Sequence, residues 1–326
     1  MSTSTSISAS TTSADALGTP VPVLSFSPVV LSVPGRPVDL QVRVSAPATG
    51  TGLAVILLSH GHGPSNNLSS LNGYAPLANF WAAHGFVVVQ PTHLTSRTLS
   101  HLVADAPGAP DFWRSRAEDM THVIDRLDVI ERTVPQLAGR IDHTKIALAG
   151  HSLGGFTAAL LLGAGLDDPH TGKVVRLVEP RIKAGVLLAA PGRGGDAFNG
   201  PMAEQWPIIG ALDFSTMTAP ALVVAGDKDD SRYFTDMGPD WHADPYTLAP
   251  APKTLLTLFG AEHGLGGIAG YDAAETTDEN PQRVAALARL TAAYLHTQLH
   301  PGAPTWQVAC RALTTGPAPV GRVESK

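Results

Sequence analysis

The segment KIALAGHSLGGFTAALLL, Lys145 to Leu162, sets one polar knot, Gly150-His151-Ser152-Leu153-Gly154-Gly155, between two apolar runs. Few backbone paths accept that arrangement. The short run before the knot reads as a buried strand, and the run after it is long enough for a helix. A strand that turns straight into a helix forces its apex residue into a strained conformation. Flanking glycines remove Cβ atoms that would collide there. The Ser152 hydroxyl then projects from the sheet edge at a helix N-terminus, where unpaired N–H groups carry partial positive charge. A helix N-cap alone explains a serine here, but not the glycines around it.

Other apolar runs place this unit in a larger frame. Val38–Ser45 alternates apolar and polar residues, as a half-exposed antiparallel strand does. Leu53–Ser59, Phe86–Gln90, Ala184–Ala189, Ala221–Ala225 and Thr254–Phe259 are denser, as strands buried on both faces are. Helical patterns lie between them at Tyr74–His84, Phe112–Thr133, Ser152–Leu162 and Asn280–Leu299, the last with Pro281 in its first turn. Short strands alternating with helices predict an α/β fold whose sheet is mostly parallel, with helices on both faces.

The 326 residues suit one α/β domain, here expected over 21–300. Residues 1–20 are rich in Ser and Thr and are expected to be a disordered leader, and 301–326 form a tail with no assignment. The N-terminus has neither a basic start nor an apolar core, so it does not read as a secretory signal, and a cytoplasmic location is expected. No apolar run reaches the roughly 18 residues of a membrane span. A formal net charge of −6, with no block of Lys and Arg, argues against a nucleic-acid partner. The single cysteine, Cys310, is read as a passive thiol.

A serine hydroxyl needs a base, and the base needs an orienting carboxylate. In an open α/β sheet such groups gather past the C-terminal ends of strands. Of thirteen histidines, His263 in FGAEHGLGG stands directly after the 254–259 strand. His151 adjoins the serine, but neighbouring side chains on so sharp a turn diverge, so it is read as packing or support. His84, His122, His296 and His300 fall on helices or their ends. The carboxylate is sought in Gly226-Asp227-Lys228-Asp229-Asp230, after the 221–225 strand. Asp229 is far enough along to turn back over the sheet edge. Asp227 fits an Asx turn better, and Asp230 is the other alternative.

Ser59-His60-Gly61-His62-Gly63 follows the 53–59 strand. Two main-chain N–H groups suffice to hold an oxyanion: that of Leu153, after the nucleophile, and one from this loop, assigned to His62 with Gly63 as the alternative. His60 is expected to brace the loop. The His-Gly-His triplet lacks an evident third ligand, and Asp227–Asp230 lacks the later residues of a calcium loop, so no metal is assigned.

The pieces SHGHG, GHSLGG, GDKDD and GAEHG, in the chain order Ser152, Asp229, His263, resemble the α/β-hydrolase superfamily over about 38–300. Within it, the SHG loop and short insert resemble the group of dienelactone-hydrolase-like proteins, chlorophyllases, cutinase-like polyesterases and plasma-type platelet-activating-factor acetylhydrolases. The chain departs from dienelactone hydrolases, which carry a cysteine nucleophile, and from secreted cutinases, which have a signal and disulfides. The resemblance implies the α/β-hydrolase fold, an eight-stranded sheet, a serine mechanism without a cofactor, and a small-molecule ester as partner. Amide, lactone or thioester hydrolysis and acyl transfer use the same triad. A non-catalytic binding module on this fold is the alternative from another class. Residues 191–218, a Gly/Pro-rich stretch, are expected to form a short lid or pocket loop, with Trp206, Ile208, Ile209 and Phe214 lining an apolar pocket and Trp241 joining from the 231–252 loop.

Overall fold

All seven residues of Leu53–Ser59 are buried, and they divide by parity. Val55 and Leu57 enter one apolar cluster, while Ala54, Ile56 and Leu58 enter another on the opposite side. A strand with both faces covered is what a continuous Val/Ile/Leu run encodes. The computed structural model describes residues 17–271, 273–315 and 319–326, so the expected leader lies outside it over residues 1–16.

The strands in chain order are β1 (Val23–Leu31), β2 (Leu40–Pro47), β3 (Leu53–Ser59), β4 (Phe86–Pro91), β5 (Ile141–His151), β6 (Gly165–Asp168), β7 (Lys173–Arg176), β8 (Ile182–Leu188), β9 (Leu212–Asp213), β10 (Ala221–Gly226), β11 (Lys253–Leu258) and β12 (Gly321–Ser325). Nine of them form one sheet in the order β1-β2-β4-β3-β5-β8-β10-β11-β12. The run from β4 to β11 is parallel; β1, β2 and β12 add antiparallel edges. Among the described residues the main sheet therefore has nine strands, not eight. The additional strand β12 comes from the unassigned tail. Its GRVES sequence is short and polar, as an edge strand is, and it pairs with β11. The strands β7, β6 and β9 form a separate small antiparallel sheet that the sequence did not announce.

The helices are α1 (Ala75–Ala83), α2 (Ser100–Val103), α3 (Trp113–Asp125), α4 (Leu127–Thr133), α5 (Leu153–Leu161), α6 (Asp244–Thr247), α7 (Pro281–Leu299) and α8 (Thr305–Thr315). The single helix expected over 112–133 is two, because Arg126 (φ −122°, ψ 21°) leaves helical geometry between α3 and α4. Helices α1 and α7 cover one face of the sheet, and α3 and α5 the other. In α7, Asn280 caps the N-terminus, its side chain accepting from the Arg283 N–H at 2.9 Å. Helix α8, also from the tail, buries Ala309 and Leu313 in the α1/α7 cluster. Among the described residues no helix is long and apolar enough to cross a membrane.

Candidate active site

Ser152 stands between the end of β5 and the start of α5 with φ +54° and ψ −119°. A left-handed φ on a non-glycine residue costs energy and persists only where the surroundings impose it. They do so through close backbone approach. A Cβ on Gly150 would lie 2.0 Å from the Gly154 carbonyl oxygen, and one on Gly154 would lie 2.0 Å from that of Ser59. The first contact tightens the turn; the second seats α5 against the end of β3.

His263, after β11, places Nε2 2.9 Å from Ser152 Oγ, and its Nδ1 lies 2.8 Å from Asp229 Oδ2. An ionised carboxylate only accepts, so Nδ1–H donates to Asp229 and Nε2 is left to accept the Ser152 proton. Burial alone would lower the His263 pKa, but the charge and hydrogen bond of Asp229 outweigh it, and the net shift is upward. Asp229 is itself buried, which opposes ionisation. The charges and hydrogen bonds of His263 and His242 prevail and hold its carboxyl well below the usual range.

Asp229 is thus the aspartate that the fold brings to His263. Asp227 is engaged elsewhere, its Oδ1 accepting from the Gly260 N–H at 2.7 Å. Asp230 pairs with exposed Arg232. His242, which the sequence did not single out, is 1% exposed and approaches the same Asp229 oxygen at 3.1 Å. Its Nε2 also lies 2.8 Å from Ser231 Oγ, and its Nδ1 donates to the Ala190 carbonyl at 2.8 Å. No local motif marks His242; only its fold neighbours do. Asp229, His242 and His263 offer three groups close enough to hold a metal ion. In the relay, His263 Nδ1 carries the proton that it donates to Asp229, so that atom offers no lone pair to an ion.

The loop after β3 faces the serine. His62 and Leu153 line the same cavity as Ser152, and their N–H groups have no hydrogen-bond partner among the described residues. Gly63 lines it too. His60 braces the loop as expected: it accepts from the His93 N–H at Nε2 (3.1 Å), and its Nδ1–H donates to the Gly61 carbonyl (2.7 Å). His151 supports two loops at once. Its Nε2–H donates to the His263 carbonyl (2.8 Å), so its Nδ1 accepts from Tyr74 O–H (2.8 Å), whose oxygen accepts from the Gly61 N–H (3.0 Å). A neutral ring is needed for this chain, and burial brings its pKa down to about 3.

The cavity has a volume of about 390 Å³. Trp206, Ile209 and Trp241 line it. Ile208 and Phe214 do not: they are 0% and 1% exposed and pack inward, in the core cluster on the α3/α5 side of the sheet. Tyr233 and Phe234 take part instead, with Met202 and Pro191. The 191–218 stretch therefore supplies one cavity wall and the 231–242 loop another. Neither family models nor curated proteins yield a match for this chain.

Proposed function

We propose that the protein is a serine hydrolase of the α/β-hydrolase type that cleaves carboxylic esters through an acyl-enzyme. One observation carries the reading. Ser152, His263 and Asp229 come from three separate strand ends and form a continuous 2.9 and 2.8 Å hydrogen-bonded relay at the floor of an open cavity. As His263 Nε2 takes its proton, Ser152 Oγ attacks the ester carbonyl carbon. The oxyanion forms beside the Leu153 and His62 N–H groups, each such donor being worth about 10²–10³ in rate. The imidazolium, steadied by Asp229, returns the proton to the departing alkoxide. Water then attacks the acyl carbon with His263 again as base, and Ser152 leaves with its proton restored. Each step balances with protein groups and water alone.

The aromatic and aliphatic walls favour apolar or modestly hydrophobic esters. The test is turnover of short p-nitrophenyl esters. We expect activity in the wild type and its loss in folded Ser152→Ala and His263→Ala. A wild type silent across acetyl to octanoyl esters would favour a non-catalytic binding role.

A further inference from the structure

Beneath the loop after β3 lies a cation that the relay does not use. Arg116, on α3, is 0% exposed. Its Nε donates to Thr157 Oγ1 (3.0 Å), its Nη1 to Thr95 Oγ1, and its Nη2 to Ser59 Oγ (3.2 Å) and to the His60 carbonyl. Every acceptor is neutral. Among the described residues no carboxylate lies within 4 Å of it. Asp119, three residues further along α3, is committed to Arg36 and His93. Burying a guanidinium with no carboxylate in contact costs several kcal/mol, and the charge of Asp119 offsets that cost only from beyond contact range. Burial lowers its pKa only to about 9, so the cation persists at neutral pH.

The position of these contacts gives them meaning. One acceptor is the His60 carbonyl, one peptide unit before the His62 N–H. Another, Thr157, hands on its own hydroxyl proton to the Leu153 carbonyl at 3.0 Å, one peptide unit after the Leu153 N–H. A single guanidinium is therefore bonded directly to one wall of the oxyanion pocket and, through the Thr157 hydroxyl, to the other.

We infer that Arg116 is a positioning residue for the oxyanion: it holds the peptide units next to the two donors and places behind them a positive charge that no carboxylate touches. The inference rests on the hydrolase reading above. Its physical basis is differential binding. The ester is neutral and the tetrahedral intermediate is anionic, so a fixed buried cation stabilises the second more than the first. Covalent geometry puts the guanidinium within about 8 Å of the His62 N–H. With the oxyanion up to one hydrogen bond beyond that donor, the charge in a partly screened interior should be worth roughly 10- to 30-fold in rate.

The experiment compares wild type, Arg116→Lys and Arg116→Gln with p-nitrophenyl acetate, alongside inhibition by an alkyl boronic acid, which becomes a tetrahedral anion on the serine. We expect kcat to fall in the order wild type, Lys, Gln, by about 10- to 30-fold at Gln. KM should change little, and boronate affinity should fall in parallel with kcat. A role in packing alone would lower melting temperature without ordering kcat by charge. Should Arg116→Gln not fold, Thr157→Val is compared with Arg116→Lys. It keeps the charge and cuts the Leu153 arm, and the inference expects reduced kcat and boronate affinity in both variants. Folded variants with kcat within twofold of wild type overturn the inference and leave the hydrolase reading standing. A wild type that neither turns over ester nor binds boronate overturns the hydrolase reading, and the inference with it.

Discussion

Two Ser–His–Asp relays occupy neighbouring strand ends of this sheet, and only one opens onto a cavity. In Ser152–His263–Asp229 the two hydrogen bonds measure 2.9 and 2.8 Å; in Ser59–His93–Asp119 both measure 2.9 Å. Distances do not separate them. Surroundings do. The His263 side chain is 43% exposed at the cavity, whereas His93 and Ser59 are 0% exposed. Ser152 sits at a strained apex before a helix, with the Leu153 N–H beside it; Ser59 ends an ordinary buried strand. Arg116 also donates to Ser59 Oγ, occupying an oxygen lone pair. A proton relay becomes a nucleophile only with access for substrate and donors for the charge that develops. Without them it is a brace, and Ser59–His93–Asp119 braces the loop that carries His62.

The largest expected contrast comes from the serines. Ser152→Ala should lower kcat by about 10⁴-fold or more with the fold intact. Ser59→Ala should keep kcat within a few-fold and cost about 1–3 kcal/mol of stability, through the hydrogen-bond partners it strands. Ester turnover and urea denaturation of both variants check this.

The aspartates come next. Asp229→Asn should lower kcat by about 10³–10⁴-fold, because it admits the wrong imidazole tautomer. Asp119→Asn should instead act on stability and not on chemistry, since Arg36 and His93 both donate to its buried carboxyl. Turnover per folded molecule should change far less than in Asp229→Asn.

Titration sharpens the same comparison with opposite signs. Burial, against the pull of Arg36, pushes the Asp119 carboxyl up to about 6. Ionising it therefore opposes folding, and that penalty lifts as pH falls through about 6. Asp229 is depressed, so its contribution stands above the unfolded carboxylate value and is lost only as pH falls below the usual range. His263 is raised, so its share of stability is full below the unfolded imidazole value and is lost as pH rises through the folded one. In the proposed mechanism the His263 base must be neutral to act, so kcat/KM should fall on the acid side at a pH above 6.5, the ordinary imidazole value. Carboxyl-carbon NMR titration and a pH–rate profile read these directions separately. The smallest effects are expected at the passed-over aspartates: Asp227→Ala and Asp230→Ala should leave kcat within about twofold.

The elbow around Ser152 was legible because its residues are contiguous and each glycine answers a local collision. His263 and Asp229 were legible by their place after strands. The second relay was not, because Ser59, His93 and Asp119 look like ordinary strand-end and helix residues until β3, β4 and α3 come together. His242 escaped notice for the same reason. Trp206 and Ile208 are two residues apart in one apolar stretch, and hydrophobicity alone does not say that one faces the cavity and the other the core. Edge strand β12 carries so few apolar residues that only its pairing with β11 reveals it.

The most direct test of the central claim is a fluorophosphonate reaction followed by mass measurement and peptide mapping. The account predicts one adduct per chain, on Ser152, with none on Ser59 and none in folded Ser152→Ala. An adduct that persists in Ser152→Ala, or a folded wild type that takes no adduct, would contradict it.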